Sequence, residues 1–186
     1  MSRAWAPGAG WALLLAALLA CGAADSRAQD RAAEHQLKAA FLYKFAGYVE
    51  WPDASFARAD TPIAIAVVGD EALAAEVAQA VTGRTVNDRR MTVRTLKPGE
   101  ALAGVHILFV GRAESGRLGQ IAQSALAQSV LTVTESEGAL AQGSVINFIV
   151  AERRVRFEIS LRSAERSGLK LSSRLLAVAT QVTGTP

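Results

Sequence analysis

The chain is expected to fold as an α/β domain on a mostly parallel, twisted sheet with helices on both faces and a C-terminal antiparallel hairpin at one edge. Three observations carry this expectation. Between residues 63 and 134, short β-branched runs alternate with helical repeats, the pattern of βαβ units. The run Ile63 to Val68 is apolar throughout rather than alternating, and Val105 to Val110 is apolar apart from His106, which suits strands covered on both faces. Beyond residue 145, two apolar strands are separated only by the polar turn Glu152-Arg153, and so short a connection makes them antiparallel. Together these describe a Rossmann-like layer arrangement with one antiparallel edge.

The first residues read as an export signal. Arg3 gives a positive start, Trp11 to Ala20 is an uncharged apolar run, and small and polar residues follow to Asp30. That run is too short to span ~30 Å of hydrocarbon as a helix. Cleavage is placed after Ala28, with Ser26 three positions before the cut. The division is therefore residues 1–28 as signal and 29–186 as one α/β domain without a transmembrane segment. Cys21 is the only cysteine, and Leu18-Leu19-Ala20-Cys21 loosely matches a lipoprotein signal, so acylation at Cys21 is the alternative to cleavage at Ala28. Either way the mature chain has no thiol pair, and its core must stand on packing.

Residues 34 to 49 read as a helix whose apolar stripe is Leu37, Ala40, Phe41, Phe45 and Tyr48, with Lys38 and Lys44 outside it. Trp51-Pro52 ends it, because proline disfavours helical geometry in the preceding residue. Ile63 to Val68 is the first strand. Asp70 can cap the next helix, along which Leu73, Val77 and Val81 recur every four residues up to Gly83. Val86-Asn87-Asp88 carries a turn signal, and Met91 to Leu96 alternates as a second strand. Val105 to Val110 is the third. Gly116 to Ala127 reads as a helix with Leu118, Ile121, Ala122 and Ala125 on one side, and Val130 to Thr134 is the fourth strand. The hairpin runs Val145 to Val150 and Val155 to Leu161. In its second strand Val155, Phe157, Ile159 and Leu161 share one face, and Arg154, Arg156, Glu158 and Ser160 the other. Ser172 can cap a last helix with Leu175, Ala179 and Val182 inward.

Composition narrows the function. The chain is 51% apolar, enough for a sizeable core, and its net charge of +3 is spread without a block of like charges. Arg153, Arg154 and Arg156 are interleaved with Val155 and Phe157, which reads as a solvated basic surface rather than a nucleic-acid stripe. His35 and His106 have no second histidine or cysteine at ligand spacing, so no metal or other cofactor is expected. Ser115 lacks the G-x-S-x-G context of a nucleophile elbow. Gly111 and Gly116 stand between a strand and a helix with P-loop spacing. However, Arg117 and Leu118 occupy the positions of the lysine and hydroxyl residue that such a loop needs. Gly69 stands alone rather than in G-x-G-x-x-G, and Asp70 would repel phosphate. The chain is therefore expected not to be an enzyme. Phe41, Tyr43, Phe45, Tyr48 and Trp51 crowd together; mostly core, they leave Tyr43, Tyr48 and Trp51 as candidates for a protein interface. Arg154, Arg156 and Glu158 form a charged face that reads either as a solvated ion-pair surface or as a second partner contact.

Three blocks carry a resemblance. They are His35-Gln-Leu-Lys-Ala-Ala-Phe-Leu-Tyr-Lys-Phe-Ala-Gly-Tyr-Val-Glu-Trp-Pro52, His106-Ile-Leu-Phe-Val110, and a C-terminal set. That set comprises Gly143-Ser-Val-Ile-Asn-Phe148, Val155-Arg-Phe-Glu-Ile-Ser160, Ala164 and Gly168-Leu-Lys-Leu-Ser-Ser-Arg-Leu-Leu176. In this order they resemble the YfiR-like (DUF4154) family across residues 34 to 182. The resemblance implies a periplasmic regulator that binds and represses an inner-membrane signalling partner, foremost a GGDEF diguanylate cyclase, and so controls cyclic-di-GMP and biofilm formation. A sensor kinase's periplasmic region is the other partner it implies, and a homodimer stays open. Ser160 departs from an asparagine common in the family. The mature chain also lacks the cysteines that some relatives carry, which argues against disulfide-tuned regulation here. The alternative function is a periplasmic small-molecule sensor, with a ligand at the strand carboxyl ends around Gly69, Asp70, Gly111, Arg112 and Ser115. The weakest is an envelope hydrolase using Ser115.

Overall fold

The structure, a computed structural model, describes residues 28–152 and 154–184. The proposed signal cut and Cys21 lie outside the described residues or at their border. The chain divides into two units, residues 1–34 and 35–186. In the first, the described residues 28–34 are helical.

The second unit begins with a helical stretch, residues 35–45, called α1 here. It is followed by β1 (Val49–Glu50), β2 (Ile63–Val68), α2 (Glu71–Val81), β3 (Thr85–Val86), β4 (Arg89–Leu96) and β5 (Ile107–Val110). A 3-10 turn over Arg112–Arg117 leads into α3 (Leu118–Leu126), β6 (Leu131–Thr134), β7 (Ile146–Ala151) and β8 (Arg154–Ser160). The chain closes with α4 (Leu161–Arg166), β9 (Lys170–Leu171), α5 (Ser173–Val178) and β10 (Gln181–Thr183). Eight strands form one sheet in the order β10-β8-β7-β6-β5-β2-β4-β3, and β1 pairs with β9 in a separate two-stranded ribbon. The strands β4, β2, β5, β6 and β7 are parallel; β7–β8 and β3–β4 are antiparallel, and β10 lies parallel to β8.

The apolar runs land where their composition requires. β5 and β6 are buried at every position, and β2 at all but one. One face of the sheet (Ile63, Ile65, Val67, Phe109, Phe148, Phe157) packs beneath α1 and α2. The other (Ala66, Val68, Leu108, Val110) packs beneath α3. Helices on both faces and the β7–β8 hairpin match the fold read from the sequence. The β3–β4 hairpin turns through Asn87 and Asp88, whose φ values of 49° and 62° are those of a tight I′-type turn.

Four expectations need correction. The buried stripe of α1 is Lys38, Ala39, Leu42 and Phe45, continued by Ala46 in the turn that follows, whereas Leu37 and Tyr48 are exposed. Phe41 and Phe45 do face the core and stack on Phe148 and Phe157 with ring centroids 5.1–5.9 Å apart. The second hairpin strand stops at Ser160, whose hydroxyl accepts the Ser163 N–H and caps α4, so Leu161 starts a helix. The helix read from Gly116 begins at Leu118, after the 3-10 turn. The last helix ends at Val178 rather than reaching Val182, because Thr180 N–H bonds Phe157 O and the chain continues as β10. Val182 does face the core, but from a strand.

Candidate functional site

β2 and β5 are neighbours, yet the chain leaves them in opposite directions, through α2 toward β4 and through α3 toward β6. Such a reversal opens a crevice at the strand carboxyl ends, the usual ligand position in an open α/β sheet. Here the protein's own groups fill that position. Gly111 N–H donates to Val68 O at 2.8 Å, and a Cβ on Gly111 would lie 2.6 Å from Gly69 O. The Asp70 carboxylate accepts the Leu73 N–H at 2.9 Å, capping α2 as expected, and its second oxygen lies 3.3 Å from His35 Nε2.

Lys38 reaches the same edge from α1. It is 2% exposed, and its Nζ donates to Glu135 Oε2 just past β6. Glu135 also accepts the Arg112 N–H through Oε1 at 3.4 Å, and Arg112 Nε stands 3.9 Å from Oε2. Glu114 lies 3.6 Å from Arg117 Nη1, with its Oε2 buried and outside hydrogen-bonding geometry. Three carboxylates and four cationic or titratable groups are thus matched across α1 and the exits of β2, β5 and β6. The arrangement pins α1 across the crevice. Of the ligand candidates, Gly69, Asp70, Gly111 and Arg112 are brought together but held in these internal contacts, while Ser115 is exposed on the 3-10 turn.

Ser115 lies beyond the carboxyl end of β5 and His106 just before its amino end, so the strand separates them and the histidine cannot serve the hydroxyl as a base. His106 is buried. Its Nδ1 accepts the Ala64 N–H at 3.1 Å, which leaves Nε2 protonated to donate to Ser55 O at 3.1 Å. The ring stacks on Phe56 at 4.5 Å, and the Arg89 guanidinium lies 3.9 Å from the Phe56 centroid. Burial pushes the imidazole below its ordinary pKa of 6.5; the bond to Ser55 O opposes this, and the Arg89 charge adds to it. Below pH 6.5 the unfolded chain therefore takes up a proton that the folded chain refuses. This stability contribution is complete above that pH and declines as pH falls toward the depressed folded-state value. Urea unfolding from about pH 8 to about pH 5 should show a decline of up to ~1.4 kcal/mol per pH unit that His106→Gln reduces. Parallel pH profiles for the two proteins would rule this out.

The partner candidates do not form one surface. Trp51 belongs to the amino end of the sheet, where its Nε1 donates to His106 O at 3.2 Å and its ring packs on Phe56 and His106. Tyr43 is half-buried beneath the Arg84 guanidinium, 4.8 Å from its centroid. Tyr48 is exposed. Arg154, Arg156 and Glu158 lie on β8, on the face opposite α1; Arg154 and Arg156 are exposed, and Arg156 pairs with Glu152 at 3.8 Å. Arg154 pairs with Ala151 at the carboxyl edge, the far end of the sheet from Trp51. Sequence reasoning passed over Lys38 and Glu135. The available signal was a lysine at the i−4 position of the Leu42 repeat, a charge inside an apolar stripe that requires a buried counter-charge.

A family model described as YfiR/HmsC-like matches residues 35–180. The ABC domain in complex with L-Trp from Streptococcus pneumonia superposes with a TM-score of 0.52 at 10% identity, over 65% of this chain and 55% of that one. A conserved domain protein from Vibrio cholerae O1 biovar El Tor gives 0.49 at 10% identity, over 64% and 54%. The chain therefore spans about half the length of the solved structures it resembles, and at this identity the first likeness speaks only for the fold. No curated protein matches the chain.

Proposed function

The chain belongs to the YfiR/HmsC-like family, and from that premise we propose that it is a periplasmic, non-enzymatic regulator that binds and represses an inner-membrane diguanylate cyclase. The observation that carries the reading is the extent of the match, which takes in residues 35–180 and so nearly the whole of the second unit. Residues 1–28 serve as its export signal in this reading. Among the described residues no helix is long and apolar enough to cross a membrane. The crevice where an α/β enzyme would hold its substrate is taken up by the close approach of Gly69 and Gly111 and by the ion pairs of His35 and Lys38, which supports a role for the outer surface. Of the partner candidates, Tyr48, Arg154 and Arg156 are the exposed ones, and the two arginines share the hairpin tip with Val150, which is 52% exposed on its other face. We assign the partner contact to that tip.

Deleting the gene should raise cellular cyclic-di-GMP. The full chain should reverse the rise, whereas a chain lacking residues 2–28, or one carrying Arg154→Glu with Arg156→Glu, should not. An unchanged cyclic-di-GMP level after deletion, or full reversal by the leaderless chain, would defeat the proposal. Full reversal by the double arginine variant would defeat the assignment of the hairpin tip.

A further inference from the structure

Parallel crossovers normally carry a helix. The β6–β7 crossover, residues 135–145, carries only turns. The width that a helix beside α3 would occupy is left as an open groove of about 950 Å³ between α3, this loop, α4 and the end of β10. Small residues in its walls, among them Gly119, Ala122, Gly138 and Gly143, leave the volume unfilled. That volume is within the range of small-molecule sites, about 300–1,000 Å³.

The lining chemistry is one-sided. Arg162 and Arg166, four residues apart on α4 and hence on one side of it, both face the groove, and among the described residues no carboxylate lines it. Neither guanidinium takes part in an ion pair or a hydrogen bond among the described residues. This contrasts with Arg112, Arg117 and Arg156, each beside a carboxylate. Ser160 and Ser163, each 6% exposed, line the same groove and give it a hydroxyl floor. Ser160 Oγ accepts the Ser163 N–H at 3.2 Å, which leaves its own O–H to donate. Gln120, Gln123 and Gln142 add amide donors and acceptors around the rim. Guanidinium forks one turn apart suit planar or tetrahedral oxyanions, which accept two N–H bonds from each.

We infer that this groove binds a small organic anion, one that presents a phosphate or paired carboxylates to Arg162 and Arg166 and a polar body to the serine floor and the glutamines. The site is distinct from the carboxyl-edge crevice and does not depend on the regulator reading. A ligand here would contact α3, α4 and β10 together.

Calorimetric titration of the full chain tests the inference with glucose 6-phosphate, citrate and, as the neutral control, glucose. Saturable binding of glucose 6-phosphate or citrate but not glucose is expected, and whichever binds identifies the oxyanion. Arg162→Gln and Arg166→Gln should each weaken it at least ~10-fold with an unchanged thermal midpoint, since both side chains are exposed. No saturable binding by either anion would overturn the inference. So would an equal loss in a chain carrying Arg154→Gln and Arg156→Gln, which would show attraction to the basic surface in general.

Discussion

Replacing Lys38 by methionine should destabilise the second unit by about 3 kcal/mol, the low end of the cost of removing one partner from a buried ion pair. Methionine keeps the length and the apolar stem, so the loss is that of the ammonium. Glu135, only 9% exposed, would then keep a carboxylate at the sheet edge with the Arg112 guanidinium, 68% exposed, as its remaining cation. That residual pairing is why the low end applies. Glu135→Gln removes the charge from the other side, and also weakens the contact that ties Arg112 N–H to β6. The double variant Lys38→Met with Glu135→Gln should lose less than the sum of the singles by at least ~1 kcal/mol, because neither single charge is then left facing the other's absence. Denaturant midpoints at neutral pH measure all three. Strict additivity, or a Lys38→Met loss under about 1 kcal/mol, would mean that the pair does not anchor α1 to the carboxyl edge.

Lys38 also shows where the sequence stopped being legible. The strands were readable because burial on both faces leaves an unbroken apolar run, as in Ile63 to Val68, and the β7–β8 hairpin because its turn was too short for any other connection. The face of α1 was misjudged because Leu37 and Tyr48 fit helical spacing as well as Leu42 and Ala46 do. Only the sheet beneath decides which set is buried. A lysine was excluded from that set on average behaviour, whereas a counter-charge at residue 135 reverses the preference. β10 was missed for a related reason. Ala179 and Val182 satisfy a helical repeat, and the Thr180 bond to Phe157 that makes this segment a strand comes from a residue distant in sequence. Gly69 and Gly111 do follow the neighbouring strands β2 and β5. That they meet each other rather than a ligand depends on a backbone approach that no local pattern encodes.

That approach yields the second large effect. Gly111→Ala should cost about 3 kcal/mol, the upper part of the usual range for adding a methyl group to a packed site. The φ of Gly111 is −71°, which any residue adopts, so no backbone strain enters and the cost is purely one of contact. The new Cβ would lie 2.6 Å from Gly69 O, 2.8 Å from Gly69 C and 3.1 Å from Asp70 Cβ. Two of these atoms are main chain and cannot swing aside. Relief requires the exits of β2 and β5 to separate. That would stretch the Gly111–Val68 hydrogen bond and displace Asp70, which caps α2 and faces His35. Gly119 supplies the control: it sits inside α3 with nothing within 4 Å of its would-be Cβ. Gly119→Ala should therefore stabilise the protein by ~0.4–1 kcal/mol, through the reduced freedom of the unfolded chain. Thermal and urea midpoints of the two variants should thus move in opposite directions. A neutral Gly111→Ala would show that the two strand exits stand far enough apart to admit a side chain, and the crevice would then again be available to a ligand.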